Sequence, residues 1–337
     1  MKTDNKSKPS AVGIDFGGTS VKIGSLSELL SDRNRKPKTL RTADYNTVDY
    51  LVSAMIKLVK ECMLEEEIVT VGCGVPGLVD FDNGHIHMLT NVPGWNDVPL
   101  KEILQSELNI PVFVDNDANC MAYAEYRYGA ARGCSNIVAL TLGTGIGGGL
   151  IINGQLYRGS KYAAGELGNF SIDYQGPANV YGLKGAIECY MGNKQICEIA
   201  NRSFKNTEIP EGGWTPEKVT HLAEQGNAIA IQIWNQIAEW LASVLASTAW
   251  LLNPDAFVIG GGVASAGRFL FDPLKEKIKN QVSEVISEDL KILPAYFGNE
   301  SGIIGSSAQA MDCLLYTSDA ADDRSSVDLG GRRIIKK

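Results

Sequence analysis

The sequence predicts an α/β protein of 337 residues that is built from two similar domains. Segments with strand character alternate with segments of helical periodicity, which is typical of this class. One pattern, an apolar strand followed by a Gly turn and a second strand, occurs near residue 11 and again near residue 137. The equivalent residues Asp15 and Thr141 lie 126 residues apart, a spacing that favours two domains in tandem.

The first half begins with a predicted strand at residues 11–16, a turn at Gly17 and Gly18, and a returning strand at residues 21–26. A helix over 50–64 and a buried strand over 68–75 follow. A short strand over 112–114 then leads into a helix that begins near Asp117. We expect an acidic or Asn side chain among residues 115–117 to cap this helix.

The second half repeats the pattern, with strands over 137–142 and 146–152 on either side of a Gly turn. Apolar residues recur at helical intervals over 227–252, which predicts a long core helix that ends before Pro254. Trp234 and Trp250 on this helix are expected to lie in the core. A strand over 256–259, a helix from about residue 269 and a last helix over 302–311 complete the pattern.

The composition excludes several classes of protein. With 44% hydrophobic residues and a net charge of −8, the chain can bury sizeable cores but lacks the basic surface of a nucleic-acid binder. No apolar stretch is long enough to span a bilayer, and the first ten residues lack the apolar core of a signal peptide. Its 7 Cys include no CxxC pair, as expected for reduced thiols. We therefore expect a cytoplasmic protein without nucleic-acid or membrane partners.

Residues 313–337 are predicted to be a non-native tail, because hydrophobic periodicity stops there. When reverse-translated, CLLYTSDAAD matches a transposon-type sequencing adapter, and VDLGGRRII matches the reverse complement of a flow-cell primer. The two strings occur in the order that an adapter would have. The alternative is a natural polar tail, and a long genomic read of the locus distinguishes the two.

Four Gly-rich turns that follow or link strands are candidate phosphate sites: Gly17-Gly18-Thr19, 74–77, 143–149 and 260–262. Backbone N–H groups without a nearby Cβ can cradle phosphate oxygens, although Gly pairs also serve tight turns. The repetition of one turn at the domain spacing favours the phosphate interpretation. The chain has neither a GxxxxGK[ST] loop nor a dinucleotide-type GxGxxG, so P-loop and NAD chemistry lack support.

Four carboxylates could carry chemistry. Asp15, where the first strand meets its Gly turn, could hold a water on Mg²⁺ or bond its own turn. Asp117 could serve as the general base for phosphoryl transfer to an alcohol or cap the next helix. Glu166 and Glu188 stand among small residues, where they could bind a polyol or be surface acids.

Histidine is too scarce for a His-rich metal site. His85 and His87 alternate on a predicted strand, which favours a surface position over a ligand role. No Ser lies in a GxSxG motif, so a serine hydrolase has no support.

Together these motifs resemble the ROK family (repressors, open reading frames and sugar kinases) along residues 11–312. The motifs that carry the resemblance are Asp15-Phe16-Gly17-Gly18-Thr19, Gly74-Val75-Pro76-Gly77, Thr90-Asn91-Val92-Pro93-Gly94-Trp95, Asp115-Asn116-Asp117-Ala118-Asn119, Gly143-Thr144-Gly145-Ile146-Gly147-Gly148-Gly149, Gly165-Glu166-Leu167-Gly168 and Gly260-Gly261-Gly262-Val263. The resemblance implies an actin-like ATPase (ribonuclease H-like) fold, with two domains around a cleft that binds ATP and a hexose. We expect one domain at 1–116 plus 296–312 and the other at 117–295.

The resemblance also implies the role of each site residue. Asp117 is the expected catalytic base. For Asp15, its own position beside the turn at residues 17–19 favours contact with Mg²⁺ through water. The sugar-binding positions fall on Gly77, Thr90, Asn116, Glu166, Asn169 and Glu188. The phosphate loops fall on Gly17, Gly18, Thr19, Gly143, Thr144 and Gly145, and the adenosine side on Gly260, Gly261 and Gly262.

Two motifs depart from the family pattern. Glu-x-Gly-His reads Glu166-Leu167-Gly168-Asn169 here, and Cys-x-Cys-Gly-x-x-Gly-Cys-x-Glu reads NVYGLKGAIE over 179–188. The four zinc ligands of the family are thereby replaced by Asn169, Asn179, Tyr181 and Ala186, which bind zinc poorly. We expect no structural zinc, a loop held by packing and hydrogen bonds, and an altered hexose preference, because Asn cannot carry the charge of His.

The function that the resemblance implies is ATP-dependent phosphorylation of a hexose, glucose or a related sugar, at the 6-hydroxyl by a homodimer or homotetramer. One alternative is a sugar-responsive transcriptional regulator of the same family. Such regulators carry an N-terminal helix-turn-helix, for which the ten residues before the first strand are too few. Another alternative is a non-catalytic sugar-binding protein, which the presence of Asp15, Asp117 and both phosphate loops opposes.

Overall fold

The structure is a computed structural model that describes residues 8–32, 34–89, 94–204 and 209–328. The chain divides into two compact units, Met1–Cys120 with Gly302–Lys337 as the first and Met121–Ser301 as the second. Each unit contains a five-stranded mixed sheet, which confirms the predicted α/β class. No helix among the described residues is both long and apolar enough to cross a membrane.

The first unit is organised around a sheet whose strand order is β3-β2-β1-β4-β8. A small antiparallel sheet of β5, β6 and β7 lies between β4 and β8 in the chain. The elements in chain order are β1 Ser10–Phe16, β2 Ser20–Ser25, α1 Leu26–Ser31, β3 Lys38–Arg41, α2 Val48–Glu65, β4 Ile68–Val75, β5 Val79–Asp80, β6 His85–Met88, β7 Asn96–Val98, α3 Leu100–Leu108, β8 Val112–Asn116 and α4 Asp117–Arg127, which continues into the second unit.

Strand direction places the carboxyl ends of three strands at one edge of this sheet. β1 pairs with β4 and β4 with β8 in parallel, whereas β1 and β2 form an antiparallel hairpin. Alternating apolar residues of these strands pack against the apolar face of α2, which includes Leu51, Met55 and Val59. The predicted strand over 21–26 ends one residue earlier, because Leu26 begins α1.

The second unit repeats this strand order as β11-β10-β9-β12-β13. Its elements in chain order are β9 Ile137–Leu142, β10 Ile146–Ile152, β11 Gln155–Tyr157, α5 Asn193–Ser203, α6 Pro216–Glu224, α7 Ala228–Leu252, β12 Ala256–Gly260, α8 Arg268–Lys279, α9 Glu284–Ser287 and β13 Lys291–Pro294. Short 3₁₀ helices lie at Leu167–Asn169, Ile187–Cys189 and Gly262–Ala266. The shared order confirms that the repeated strand–turn–strand pattern marks two similar units.

The long helix α7 confirms one of the two tryptophan predictions and contradicts the other. Asn227 caps the helix, since its side-chain oxygen accepts hydrogen bonds from Ile229 and Ala230 N–H. Trp234 is fully buried, but Trp250 is 60% exposed, so its assignment to the core is wrong. Sixteen residues along a helix turn the side chain by about 160°, which carries Trp250 to the opposite face.

A last helix, α10 Ser301–Asp328, packs its first three turns against the sheet of the first unit. Close approach requires glycine on two adjacent strands: a Cβ on Gly13 would lie 2.0 Å from the carbonyl oxygen of Ile303, and one on Gly72 would lie 1.8 Å from that of Ser306. The helix continues past the predicted end at residue 311, because no Gly or Pro interrupts the sequence before Gly330.

Candidate functional site

The first Gly turn, at residues 17–19, connects β1 and β2 and carries a half-buried ion pair at its base. Asp15 and Lys22 face each other across the hairpin, and their Oδ2 and Nζ atoms are 3.4 Å apart. Burial raises the pKa of Asp15, and the Lys22 charge opposes this shift. Thr42 anchors the turn, because its Oγ1 donates a hydrogen bond to Gly18 O at 2.8 Å. A carboxylate therefore lies directly beneath an accessible Gly turn.

The junction of β8 and α4 holds the predicted base. Asn116 is the helix cap, since its Oδ1 accepts hydrogen bonds from Ala118 N–H and Asn119 N–H at 2.8 and 3.2 Å. Its Nδ2 donates to Gly77 O at 3.0 Å, which ties this junction to the turn after β4. Asp117, half-buried, is the first residue of α4, where the helix dipole favours a negative charge.

The parallel register places these features side by side. Asp15 on β1 pairs with Gly74 on β4, and Gly74 pairs with Asp115 on β8. The buried thiol of Cys120 lies near the same carboxylates. Its pKa is raised mainly by burial, and the negative charges of Asp115, Asp117 and Asp15 raise it further. One edge of the sheet thus gathers the carboxylates that the sequence singled out in the first unit.

The second Gly turn, at residues 143–145, connects β9 and β10. Asn193 N–H donates to Gly143 O at 2.9 Å, which holds the turn against the start of α5. Gly261, with φ +84°, lies so close to the end of β9 that a Cβ would be 2.2 Å from Leu142 O. The turn at residues 260–262 therefore adjoins the turn at residues 143–145.

One acidic side chain, Glu188, lies close to this second turn, and a second, Glu166, interacts with it. A Cβ on Gly145 would be 3.5 Å from Glu188 Oε2, and one on Gly168 would be 3.3 Å from the same oxygen. The pKa of Glu166 is raised, first by burial and then by the negative charge of Glu188. The structure thus brings together Glu166 and Glu188, which are 22 residues apart in the chain.

The loop over residues 169–188 is held by an Asn pair. Asn179 Nδ2 donates to Asn169 Oδ1 at 2.8 Å, and Asn179 Oδ1 accepts from Tyr181 N–H and Leu183 N–H at 3.0 Å each. Short bridges from Ser171 to Ala186 and from Ala178 to Lys184 close the loop. The Asn179 amide therefore connects Asn169 to the backbone at the far end of the loop.

The predicted site residues separate by unit. The first unit brings together Asp15, Gly17, Gly18, Thr19, Gly77, Asn116 and Asp117, and the second unit brings together Gly143, Thr144, Gly145, Glu166, Asn169, Glu188, Gly260, Gly261 and Gly262. Thr90 lies outside the described residues. Sequence reasoning missed two partners, Lys22 and Asn179. Pairing the hairpin residues outward from the turn would have found Lys22.

Chemically, the first unit offers a hydrogen-bond acceptor at a helix start and a second carboxylate beside a Gly turn. The second unit offers another Gly turn, with open space around Gly143 and Gly262, next to a carboxylate pair. Backbone N–H groups in such turns suit phosphate oxygens, and paired carboxylates suit vicinal hydroxyl groups. The groups that the described residues present are thus of the chemical types that bind phosphate oxygens and vicinal hydroxyl groups.

The chain is similar to known proteins along most of its length. The family model described as "ROK family" matches residues 11–312. A glucokinase of Thermotoga maritima is 32% identical over 305 residues, covering 88% of this chain and 96% of the relative. A xylose repressor of Bacillus subtilis is 26% identical over 322 residues, covering 94% of this chain and 80% of the repressor.

A solved structure shows the same fold. The crystal structure of a glucokinase from Streptomyces griseus, in complex with glucose and AMPPNP, matches with a TM-score of 0.75 at 28% identity. The match covers 90% of this chain and 99% of that one. The predicted actin-like ATPase fold is thereby confirmed.

Proposed function

This chain belongs to the ROK family, and we propose that it transfers the γ-phosphoryl group of ATP to the 6-hydroxyl of a hexose, glucose or a related sugar. The observation that carries the proposal is the placement of Asp117 at the start of α4, on the same sheet edge as Asp15 and the first Gly turn. The glucokinase of Thermotoga maritima and the glucose-bound and AMPPNP-bound relative from Streptomyces griseus support it.

Asp117 is the proposed general base. Phosphoryl transfer to an alcohol requires an acceptor for the hydroxyl proton as the new P–O bond forms. Asn116 fixes the position of Asp117, because it caps α4 with its oxygen and binds Gly77 O with its nitrogen. In this arrangement Asp117 takes the hydroxyl proton, and Asn116 orients the sugar.

The Gly turns at residues 17–19 and 143–145 are proposed to bind the ATP phosphates, and the turn at residues 260–262 to face the adenosine. Asp15 would orient a water on Mg²⁺, a hard cation that prefers oxygen ligands. The donor set fits both groups, because carboxylate oxygen suits Mg²⁺ and Gly-turn N–H groups suit phosphate. Mg²⁺ when bound neutralises charge on the phosphates, and Lys22 holds the Asp15 carboxylate in place.

Glu166, Asn169 and Glu188 are proposed to bind the sugar in the second unit. The raised pKa of Glu166 indicates a carboxyl group that is buried near another negative charge. Hydroxyl groups of a sugar would donate hydrogen bonds to the ionised carboxylate and so offset the rise in pKa that burial and the Glu188 charge cause. Gly77 and Thr90 complete the proposed sugar positions.

We further propose that the loop over residues 169–188 holds no structural zinc. The hydrogen bond between Asn169 and Asn179, together with the bridges of the loop, supports this proposal. Neither amide is a strong zinc ligand. Zinc that remains bound to the purified protein and is lost on Asn169→Ala would contradict it.

The kinase proposal is tested by measuring ADP release across a panel of hexoses. Asp117→Asn should lower kcat by about 10²- to 10⁴-fold, the usual contribution of a positioned base, with little change in the KM for sugar. Asp49→Ala is the matched control, because Asp49 is an exposed acid in the first turn of α2. Wild-type kcat in Asp117→Asn would remove Asp117 from this role.

A sugar-responsive regulator is the second candidate, favoured by the similarity to the xylose repressor of Bacillus subtilis. A DNA-binding assay performed beside the kinase assay separates the two functions. Sugar binding by calorimetry without ADP release would instead identify the non-catalytic alternative. We also propose that the protein is cytoplasmic and that it forms a homodimer or homotetramer. Light scattering tests the oligomeric state.

A further inference from the structure

The small sheet of the first unit carries three metal-binding side chains on one face. His85 and His87 alternate on β6, and their rings lie 5.6 Å apart. Asp97 lies across from His87 on β7, in the register set by the pairs Ile86–Val98 and Met88–Asn96. His87 Nδ1 and Asp97 Oδ1 are 3.9 Å apart. Two adjacent strands thus place two imidazoles and a carboxylate close together on one face of the sheet.

The spacing of the ligand atoms suits a metal ion. One nitrogen of each imidazole and one Asp97 oxygen all lie within 4.8 Å of one another. Tetrahedral zinc, with ligand bonds of about 2.0–2.1 Å, needs its ligand atoms about 3.3 Å apart. Because His87 and Asp97 are exposed, rotation of their side chains can close the difference without moving the backbone.

The charge around the three side chains also favours a cation. Asp80 pairs with His85 in the register of β5 and β6. The pKa of Asp80 is lowered, mainly by the Asn83 side-chain hydrogen bond and with a smaller contribution from His87. The register of β5 and β6 places Asp80 on the same face of the sheet as the two imidazoles. In addition to Asp97, this second negative charge lowers the energy of a bound divalent ion.

We propose that His85, His87 and Asp97 bind a divalent transition-metal ion of the kind that imidazole prefers, with Zn²⁺ as the representative, and that water completes the coordination. This group is the one set of three or more His, Cys, Asp and Glu ligands with such spacing among the residues that the structure describes. An exposed ion pair would explain why His87 and Asp97 lie close together, but it would not explain why His85 lies beside them.

A metal at this position would link β6 to β7. The connection between these strands includes the buried Trp95, which packs edge-on against Phe16 with ring centroids 4.5 Å apart. Phe16 is the residue before the first Gly turn. The ion would therefore stabilise the sheet from which Trp95 reaches the base of that turn, and its binding does not depend on the proposed kinase activity.

The test measures Zn²⁺ binding by calorimetry to the full chain after removal of metal with a chelator. Wild-type protein should bind one ion per chain, and His87→Gln should bind it at least about 100-fold more weakly, because loss of a mere second-shell partner already costs 10- to 100-fold. Asp97→Asn should weaken binding in the same direction. Co²⁺ bound at the site should show a tetrahedral d–d spectrum without thiolate charge transfer.

His221→Gln is the matched control. His221 is also an exposed histidine beside a carboxylate, since its Nδ1 lies 3.6 Å from Glu224 Oε2. Within the part of the chain that the structure describes, this pair belongs to no group of three possible metal ligands. This variant should bind Zn²⁺ like the wild type. Added Zn²⁺ should raise the unfolding temperature of the wild type and of His221→Gln but not that of His87→Gln. Equal affinity of His87→Gln and His221→Gln for Zn²⁺, or no stoichiometric binding by the wild type, would overturn the proposal.

Discussion

Glu125 is a fully buried carboxylate on α4 whose replacement should measurably destabilise the second unit. Its Oε2 accepts hydrogen bonds from Ala130 N–H at 2.8 Å and Tyr296 N–H at 2.9 Å, and its Oε1 accepts one from Phe297 N–H at 3.0 Å. One side chain therefore holds the end of α4 to the segment that follows β13, 171 residues away.

Glu125→Gln keeps the shape of the side chain but supplies one acceptor oxygen instead of two. Two of the three hydrogen bonds would change from charged to neutral, at a cost of about 1 kcal/mol each. The third donor would face an NH₂ group in a buried site, at a cost of about 1–3 kcal/mol. The expected loss is about 3–5 kcal/mol, a large part of the stability of a typical domain.

Urea unfolding followed by tryptophan fluorescence measures this loss. Four of the five tryptophans, at positions 214, 234, 240 and 250, lie in the second unit, so the signal reports mainly on that unit. For an m value of about 2–3 kcal/mol/M, the midpoint should fall by about 1–2.5 M without a change in m.

The matched control for this experiment is Glu224→Gln, which alters an exposed acid paired with His221 and should change stability by less than about 0.5 kcal/mol. A loss below about 1 kcal/mol in Glu125→Gln would refute the assignment of three strong hydrogen bonds to this carboxylate.

Three further predictions concern the sugar site and the core. The pKa of Glu166 is raised in the folded chain, so ionisation of this side chain opposes folding. Glu166→Gln should therefore raise the unfolding temperature at neutral pH. This increase should vanish as the pH falls below 4.5, the ordinary pKa of a Glu side chain. Thermal unfolding across this pH range checks the sign, and a gain that grows on acidification would contradict it. In steady-state assays, Asn179→Ala should raise the KM for sugar about five- to tenfold with a smaller effect on kcat, because Asn169 loses one hydrogen bond. Tyr181→Ala, which changes an exposed side chain of the same loop, should leave KM unchanged. Gly72→Ala should destabilise the first unit by at least about 3 kcal/mol in urea unfolding, because a Cβ would lie 1.8 Å from Ser306 O, while Gly262→Ala, with open space around it, should be nearly neutral.

Much of the fold followed from local sequence. The strands predicted at 68–75, 137–142 and 146–152 have these bounds in the structure, and α7 begins after Asn227 as its cap residue indicates. Exposure of Trp250 was missed because its apolar character was considered without its position on the helix, which lies about 160° around the axis from the buried Trp234.

The candidate site shows the same division. Gly turns, and acids placed after strands, can be read from the chain because each depends on a few neighbouring residues. The pairing of Asp15 with Lys22 and of Asn169 with Asn179 depends on strand register and loop closure. His85 and His87 were visible as an alternating pair, but only the pairing of β6 with β7 brought Asp97 to them.

The sequence by itself determined where strands, turns and helices lie and which motifs carry the chemistry, because backbone sterics and hydrophobic periodicity act over a few residues. Only the tertiary structure decided which distant groups meet. Two of the three donors to the Glu125 carboxylate, Tyr296 N–H and Phe297 N–H, lie 171 and 172 residues away in the chain. Helix α10 packs against Gly13 and Gly72 through Ile303 and Ser306, which lie far from these glycines in the sequence. Such contacts form when whole elements pack, so their partners are set by the summed burial of the unit rather than by any local pattern.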